Sequence, residues 1–329
     1  MIMRETSYLK ALNEALHEEM ARDLDVFIMG EDIGLGKGTL GVTEGLRDEF
    51  GPERVRNTPI SEQALIGAAL GAAMTGCRPI VELMFIDLLG VCMDQIANQV
   101  AKVFYMSGGK ARPALVIRTQ EGVGLGIAAQ HSQSLEAWVT HIPGLVVVAP
   151  STPFDAKGLL KAAVRDDNPV FFIEHKRLYP IKGTVPEEEY LVPLGVADIK
   201  RPGRDVTIIA TSYQVHNALG AAAELAPEGI EAEVVDPRTL NPLDVDTLAE
   251  SARRTRRVVV VNEGCRTGGY AAEVAATLGE LVFDSLQAPI LRVTAEDAPI
   301  PANMRLEKEV VPQVKDIVAA VRRVMGQTA

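Results

Sequence analysis

The sequence predicts an α/β protein built as two three-layer α/β/α domains. Three observations predict it. Short, continuously apolar runs recur along the chain, helical patterns separate them, and the alternation halts at a Pro- and Gly-rich stretch before starting again. A strand that is apolar on both faces is covered on both, the condition of a parallel sheet between helix layers. The length, 329 residues, accommodates two such domains.

The N-terminal domain, expected over 1–185, opens with Leu9, Leu12, Ala15, Leu16 and Met20 at helical spacing behind a cap at Thr6 or Ser7. Residues 26–29 then read as a buried strand running into Gly30-Glu31-Asp32. Further strands are expected at 79–84, 114–118, 145–149 and 170–173, with helices around 62–75, 86–106 and 153–165. Pro, Gly and charge crowd 176–204, and the linker is placed at 186–204. The second domain, 205–329, carries strands at 206–210, 232–235, 257–261 and 290–293. Its helices fall near 214–226, 244–254 and 270–280, with a last amphipathic one at 314–325.

Hydrophobic residues at 47% and charged residues at 23% supply both a core and a soluble surface. A net charge of −11 argues against a nucleic-acid footprint, which needs a basic face. Cys77, Cys92 and Cys265 lie far apart, so reduced thiols are expected instead of a disulfide frame or a zinc site. No apolar run is long enough to span a membrane and the N-terminus has no apolar signal core, so a cytoplasmic location is expected.

Two glycine loops fail as nucleotide motifs. Five residues separate Gly30 from Gly36-Lys37, and Gly38 stands where a phosphate loop needs Ser or Thr. Gly122-Val123-Gly124-Leu125-Gly126 follows a strand, but Ile127 replaces the third glycine of the dinucleotide fingerprint. Both loops read as tight turns or close backbone approaches. No HExxH, GxSxG or paired-cysteine pattern occurs.

Two local signals remain. Thr58-Pro59-Ile60-Ser61-Glu62 puts a carboxylate at the start of a helix rich in Ala64, Gly67, Ala68, Ala69, Gly71, Ala72 and Ala73. Ser61 suits an N-cap and Glu62 the positive end of the helix dipole. Alternatively, the tiny residues admit another backbone and leave Glu62 at a buried interface, where it must be bonded or protonated. The second signal is His131, set between Gln130 and Ser132-Gln133 beyond a strand end. It is either a hydrogen-bonded loop residue or part of a ligand site, since ligands bind at that edge of an α/β sheet.

Taken with Gly71–Pro79, Asp94–Gln99, Tyr105–Gly109, Ile142–Leu145, Asp155–Leu160, Val235–Asp244 and Val311–Ile317, these segments resemble the β subunits of thiamine-dependent 2-oxo-acid dehydrogenases, collinearly over nearly the whole chain. Phe85–Gln95, Gln133–Trp138 and Glu174–Tyr179 are more similar to the acetoin dehydrogenase branch than to the pyruvate or branched-chain branches.

The resemblance implies a transketolase-like pyrimidine-binding domain followed by a transketolase C-terminal-like domain. It implies thiamine diphosphate as cofactor, with Glu62 bonded to a pyrimidine ring nitrogen and His131 handling protons during acyl transfer to a lipoyl group. Ile60 and Met84 match positions lining the pyrimidine pocket, and Leu88 stands where the family commonly has an aromatic ring. The family binds the diphosphate through Mg2+ on a Gly-Asp-Gly segment, which this sequence lacks. An α subunit is therefore implied to supply it, in an α2β2 heterotetramer. The acyltransferase's subunit-binding and lipoyl domains are further implied partners, and a K+ is implied on backbone carbonyls around Leu115, Ala163, Asp166 and Asn168. Two other classes compete. A stand-alone transketolase needs a diphosphate-binding domain for which this length leaves no room, and a non-catalytic assembly subunit has no need of both Glu62 and His131.

Overall fold

A computed structural model describes residues 2–34, 36 and 38–327, so Lys37 of the rejected phosphate loop lies outside the described residues. The chain separates into two compact units, Met1–Glu121 with Trp138–Leu194 and Gly122–Ala137 with Gly195–Ala329.

The elements up to the division near residue 194 are, in order, β1 (Met3–Ser7), α1 (Tyr8–Arg22), β2 (Val26–Gly30), α2 (Leu46–Phe50), β3 (Val55–Asn57), α3 (Glu62–Met74), β4 (Arg78–Leu83), α4 (Leu89–Asp94), α5 (Val103–Met106), β5 (Val116–Glu121), α6 (Glu136–Thr140), β6 (Val146–Val148), α7 (Pro153–Arg165), β7 (Val170–His175) and β8 (Lys182–Pro186). Within the first unit the strands lie in the order β6-β7-β5-β4-β2-β3 and every pairing is parallel. Their residues are almost all buried, as the apolar runs require.

Helix α1 starts at Ser7, whose hydroxyl accepts the Lys10 N–H, and buries Leu12, Ala15, Leu16 and Met20. It packs on α7. Across that seam Lys157 meets Glu14 and Glu18 at 3.2 and 2.6 Å, Lys161 meets Glu18 at 2.6 Å, and Arg165 meets Glu19 at 2.6 Å. Lys157 and Lys161 are buried, so this ladder of opposite charges is what makes their burial tolerable.

Two local departures from the sequence reading have physical causes. The helical stretch expected around 86–106 is made of a 3-10 turn (Ile86–Leu88), α4, a π-helical turn (Gln95–Val100) and α5. Gln95 is wedged over α3, where a Cβ on Gly67 would sit 3.2 Å from its Oε1, and the π turn absorbs the extra residue. The pair β1–β8 forms a separate antiparallel ribbon that no apolar run announces, because its residues are mixed polar, charged and apolar, and mostly exposed or half-buried.

Inside the sheet, buried Arg118 donates to both oxygens of Glu174 at 2.7 and 2.9 Å and to Glu82 at 2.8 Å. Tyr179 adds its hydroxyl to Glu174 at 2.9 Å. Burial raises the Glu174 carboxyl above its ordinary range against the opposing pull of Arg118.

In the second unit the elements are β9 (Asp198–Arg201), β10 (Val206–Ala210), α8 (Gln214–Leu225), β11 (Ala232–Asp236), β12 (Thr239–Asn241), α9 (Val245–Thr255), β13 (Val258–Cys265), α10 (Tyr270–Val282), β14 (Leu291–Ala295), α11 (Met304–Val310) and α12 (Val314–Val324). The sheet order is β14-β13-β10-β11-β9, parallel except for edge strand β9. Helices α8 and α12 cover one face through Ala218, Leu225, Ile317 and Val321. On the other face Thr207 and Thr255 share a 2.8 Å hydroxyl bond beneath α9.

Residues 198–201, expected in the linker, instead extend the second sheet as a strand whose charge protects an open edge. Residues 122–137, expected in the first domain, group with the second unit. Among the described residues no helix is long and apolar enough to cross a membrane.

Removing Arg118 would leave two carboxylates buried without a countercharge. Arg118→Ala is expected to cost about 3–5 kcal/mol of stability, measurable by urea denaturation; a loss under ~1 kcal/mol would show the cluster to be incidental.

Candidate active site

The first sheet contains a topological switch. Strand β2 leads to β3 on one side, and the next connection returns to β4 on the other side of β2. In open α/β sheets ligands bind in the crevice beyond the carboxyl ends of strands at such a point. Three segments emerge there: Glu31 after β2, Thr58–Glu62 after β3, and Met84 after β4. The Thr58 N–H donates to the Gly30 carbonyl at 2.9 Å, fixing the second segment to the first.

Glu62 is the first residue of α3 and is 8% exposed, while Ile60, two residues earlier, is 82% exposed. Met84 and Leu88 are half-buried. Ser61 occupies the N-cap position, but its side chain makes no capping bond. Its backbone N–H serves Glu31 instead. Glu31 is buried, its Oε1 has no hydrogen-bond partner, and burial and the charge of Glu62 raise its carboxyl above the ordinary range. The Cys92 thiol is pushed up to about 12 by burial and then by Glu62, and it donates to the Leu88 carbonyl at 3.5 Å. Glu31 and Cys92 thus join Glu62, roles that the sequence reading missed. A strand-end rule would have found Glu31; nothing in sequence marks Cys92. The inner face of α3 takes Gln95 against Gly67, while Ala64, Ala68 and Gly71 face outward and are exposed.

His131 belongs to the second unit, in the loop Gly122–Ala137, and is exposed. Its N–H donates to the Ala128 carbonyl at 3.3 Å, and Gly122 N–H to the Gln133 carbonyl at 2.9 Å. Ser132, Gln133 and Ser134 line a cavity of about 530 Å3 with Cys265, Asp297 and Ile300. The hydroxyls of Ser132 and Ser134 are buried without a partner.

The description "Transketolase, pyrimidine binding domain" matches residues 4–182, and "Transketolase, C-terminal domain" matches 195–317. Acetoin:2,6-dichlorophenolindophenol oxidoreductase subunit beta of Cupriavidus necator is 50% identical over 98% of this chain and 98% of its own. The chain belongs to the transketolase-like β subunits of acetoin and 2-oxo-acid dehydrogenases. Pyruvate dehydrogenase E1 component subunit beta of Gracilaria tenuistipitata is 44% identical, covering 98% of this chain and 100% of its own. A solved split-gene transketolase, described as an inactive β4 tetramer, superposes with a TM-score of 0.78 at 27% identity, over 98% of this chain and 99% of that one.

In this β subunit three of the expected potassium residues, Ala163, Asp166 and Asn168, lie at or just after the end of α7, and Leu115 immediately precedes β5. The Leu115 carbonyl accepts from Val170 at 2.9 Å and that of Ala163 from Asp166 at 3.3 Å. The Asp166 carbonyl accepts from the Arg78 guanidinium at 3.0 Å, and the Asp166 carboxylate takes both the N–H and the amide of Asn168. Among the described residues no three His, Cys, Asp or Glu side chains form a metal-binding group.

Glu31 provides a pH test. A raised carboxyl keeps its proton to higher pH in the folded than in the unfolded chain, so its contribution falls as pH climbs from the ordinary carboxylate range through the raised value. Glu31→Gln should therefore raise stability at neutral pH, a gain that shrinks as pH falls into the ordinary carboxylate range. Thermal unfolding across that range checks it; a pH-independent difference would contradict it.

Proposed function

We propose that this chain is the β half of a thiamine-diphosphate-dependent component that cleaves acetoin and passes the two-carbon unit to a lipoyl group. One observation carries the reading: a buried carboxylate, Glu62, stands at the switch point of a parallel sheet beside the exposed apolar side chain of Ile60. The cofactor, when bound, supplies an electron sink for breaking the bond next to a carbonyl.

The residues fit an aminopyrimidine. Glu62 would hold the ring through a shared proton on a ring nitrogen, a bond that exclusion of water would strengthen. The buried, partnerless oxygen of Glu31 marks a polar place behind it. Ile60, Met84 and Leu88 would supply apolar walls, Leu88 standing where the family commonly has an aromatic ring. His131 takes and returns a proton during transfer, the task an imidazole performs near neutral pH.

The diphosphate needs a hard cation and oxygen ligands. No Gly-Asp-Gly exists in the sequence, so an α subunit brings the Mg2+ site, in an α2β2 assembly. The "subunit beta" in the relatives' names and the exposed Ala64, Ala68 and Gly71 face of α3, next to Glu62, support that partner. The carbonyls ending α7 lie at the negative end of the helix dipole, suiting a K+ at Leu115, Ala163, Asp166 and Asn168. A net charge of −11 favours a basic subunit-binding domain on the acyltransferase. Sparse, unpaired cysteines fit the cytoplasm. Acetoin is placed ahead of pyruvate because identity to the acetoin relative is 50% against 44%.

Calorimetric titration should show thiamine diphosphate with Mg2+ binding the co-expressed α–β complex tightly and the β chain alone weakly; equal binding would refute the shared site. Dye reduction should be fastest with acetoin, and activity confined to pyruvate or 2-oxoisovalerate would reassign the substrate. His131→Ala should lower turnover about 10²–10⁴-fold.

A further inference from the structure

The second unit has its own switch point. Strand β10 leads to β11, and the chain then returns to β13 on the other side of β10. A ligand crevice is expected there, yet what enters it is the glycine loop of the same unit. The Val123 N–H donates to Glu263 Oε1 at 2.9 Å, and Gln214, just after β10, holds Glu263 Oε2 at 3.0 Å. Gln214 is held in turn by Asn217, which also donates to the Pro312 carbonyl at 3.1 Å.

Next along the loop, Gly124 and Gly126 both donate to one carboxylate, that of Glu307, at 3.1 and 3.0 Å. Their φ angles, +120° and +67°, are accessible to glycine and strained for other residues, and they turn successive N–H groups into an anion-binding nest. Glu307 comes from α11, a helix that is inside out: its apolar Met304 and Leu306 are 55% and 54% exposed, while Glu307 is 2% exposed and is its single buried residue. A carboxylate is hidden while hydrophobic neighbours stay in water only if its bonds demand that placement. The approach is close, since a Cβ on Gly126 would lie 3.1 Å from the Ala302 carbonyl and from Met304 Cγ. At the far end of the loop, Asn262 of β13 donates to Glu136 and to Thr211.

We infer that Glu307 and Glu263 are positioning residues for His131: two carboxylates of the C-terminal domain grip the backbone of the glycine loop and set where the imidazole stands. The inference rests on the reading of His131 as the proton-handling group. An untethered loop would let the imidazole wander by an ångström or more, enough to cost about 100-fold in rate without weakening substrate binding.

The test uses the α–β complex with Glu307→Ala and the isosteric Glu307→Gln, which turns an N–H-bearing group toward an N–H donor. Hydrogen exchange followed by mass spectrometry should show the amides of 123–128 exchanging at least about tenfold faster in both variants, with strands β10 and β13 as protected as before. Turnover should fall about 100-fold with KM held within about twofold. Unchanged exchange in the loop, undiminished turnover with a loosened loop, or protection lost throughout the second unit would each overturn the tether. Full turnover by His131→Ala would instead remove the histidine's role, and the loop's exchange would still decide the tether.

Discussion

A carboxylate kept from water at the first turn of α3 is the constraint to which the rest of the first unit answers. Glu62 is hidden without a capping bond from Ser61, beside a second buried carboxylate and below an apolar side chain left in solvent. Burial and the neighbouring charge of Glu62 raise the carboxyl of Glu31 above the ordinary carboxylate range. The parallel sheet sets the geometry, because β2, β3 and β4 deliver Glu31, Glu62 and Met84 to one edge.

Much of the fold was legible because it follows from periodicity. Helix α7 was placed at its observed ends: Thr152 caps it, Pro153 opens it, and Ala156, Leu159, Leu160 and Ala163 repeat at helical spacing. The buried strands were legible for the same reason. What escaped was structure held by charge or by tertiary wedging. The β1–β8 ribbon has charged residues and no apolar run, the helical stretch expected around 86–106 takes a π turn where Gln95 presses on Gly67, and α11 buries the opposite face from the one its sequence suggests. At the site, Glu62 was visible as an acid opening a small-residue helix, but Cys92 becomes its neighbour only through the folding of α4. The carbonyls ending α7 could be named only by resemblance, since backbone oxygens carry no sequence signal.

The glycine loop at 122–126 shows how a failed motif still carries chemistry. Its glycines adopt the positive φ angles that anion-binding loops use, but the anion is supplied by the protein itself, from Glu307. Sequence reading assigned the loop a tight turn or close backbone approach, without finding what approached. Both units therefore keep a carboxylate at the switch point or loop nest of a parallel sheet, and the two do different things. In the first unit it is the residue proposed to face a ligand; in the second it fastens a loop.

The most direct measurement is the rate at which the thiazolium C2 proton of thiamine diphosphate exchanges with deuterium in the assembled α–β complex, compared between the parent and Glu62→Gln. Exchange in the parent complex should be fast, and the amide, unable to share a proton with the pyrimidine, should slow it by at least about 100-fold while cofactor binding and assembly persist. Equal exchange rates in the two proteins would contradict the role given to Glu62.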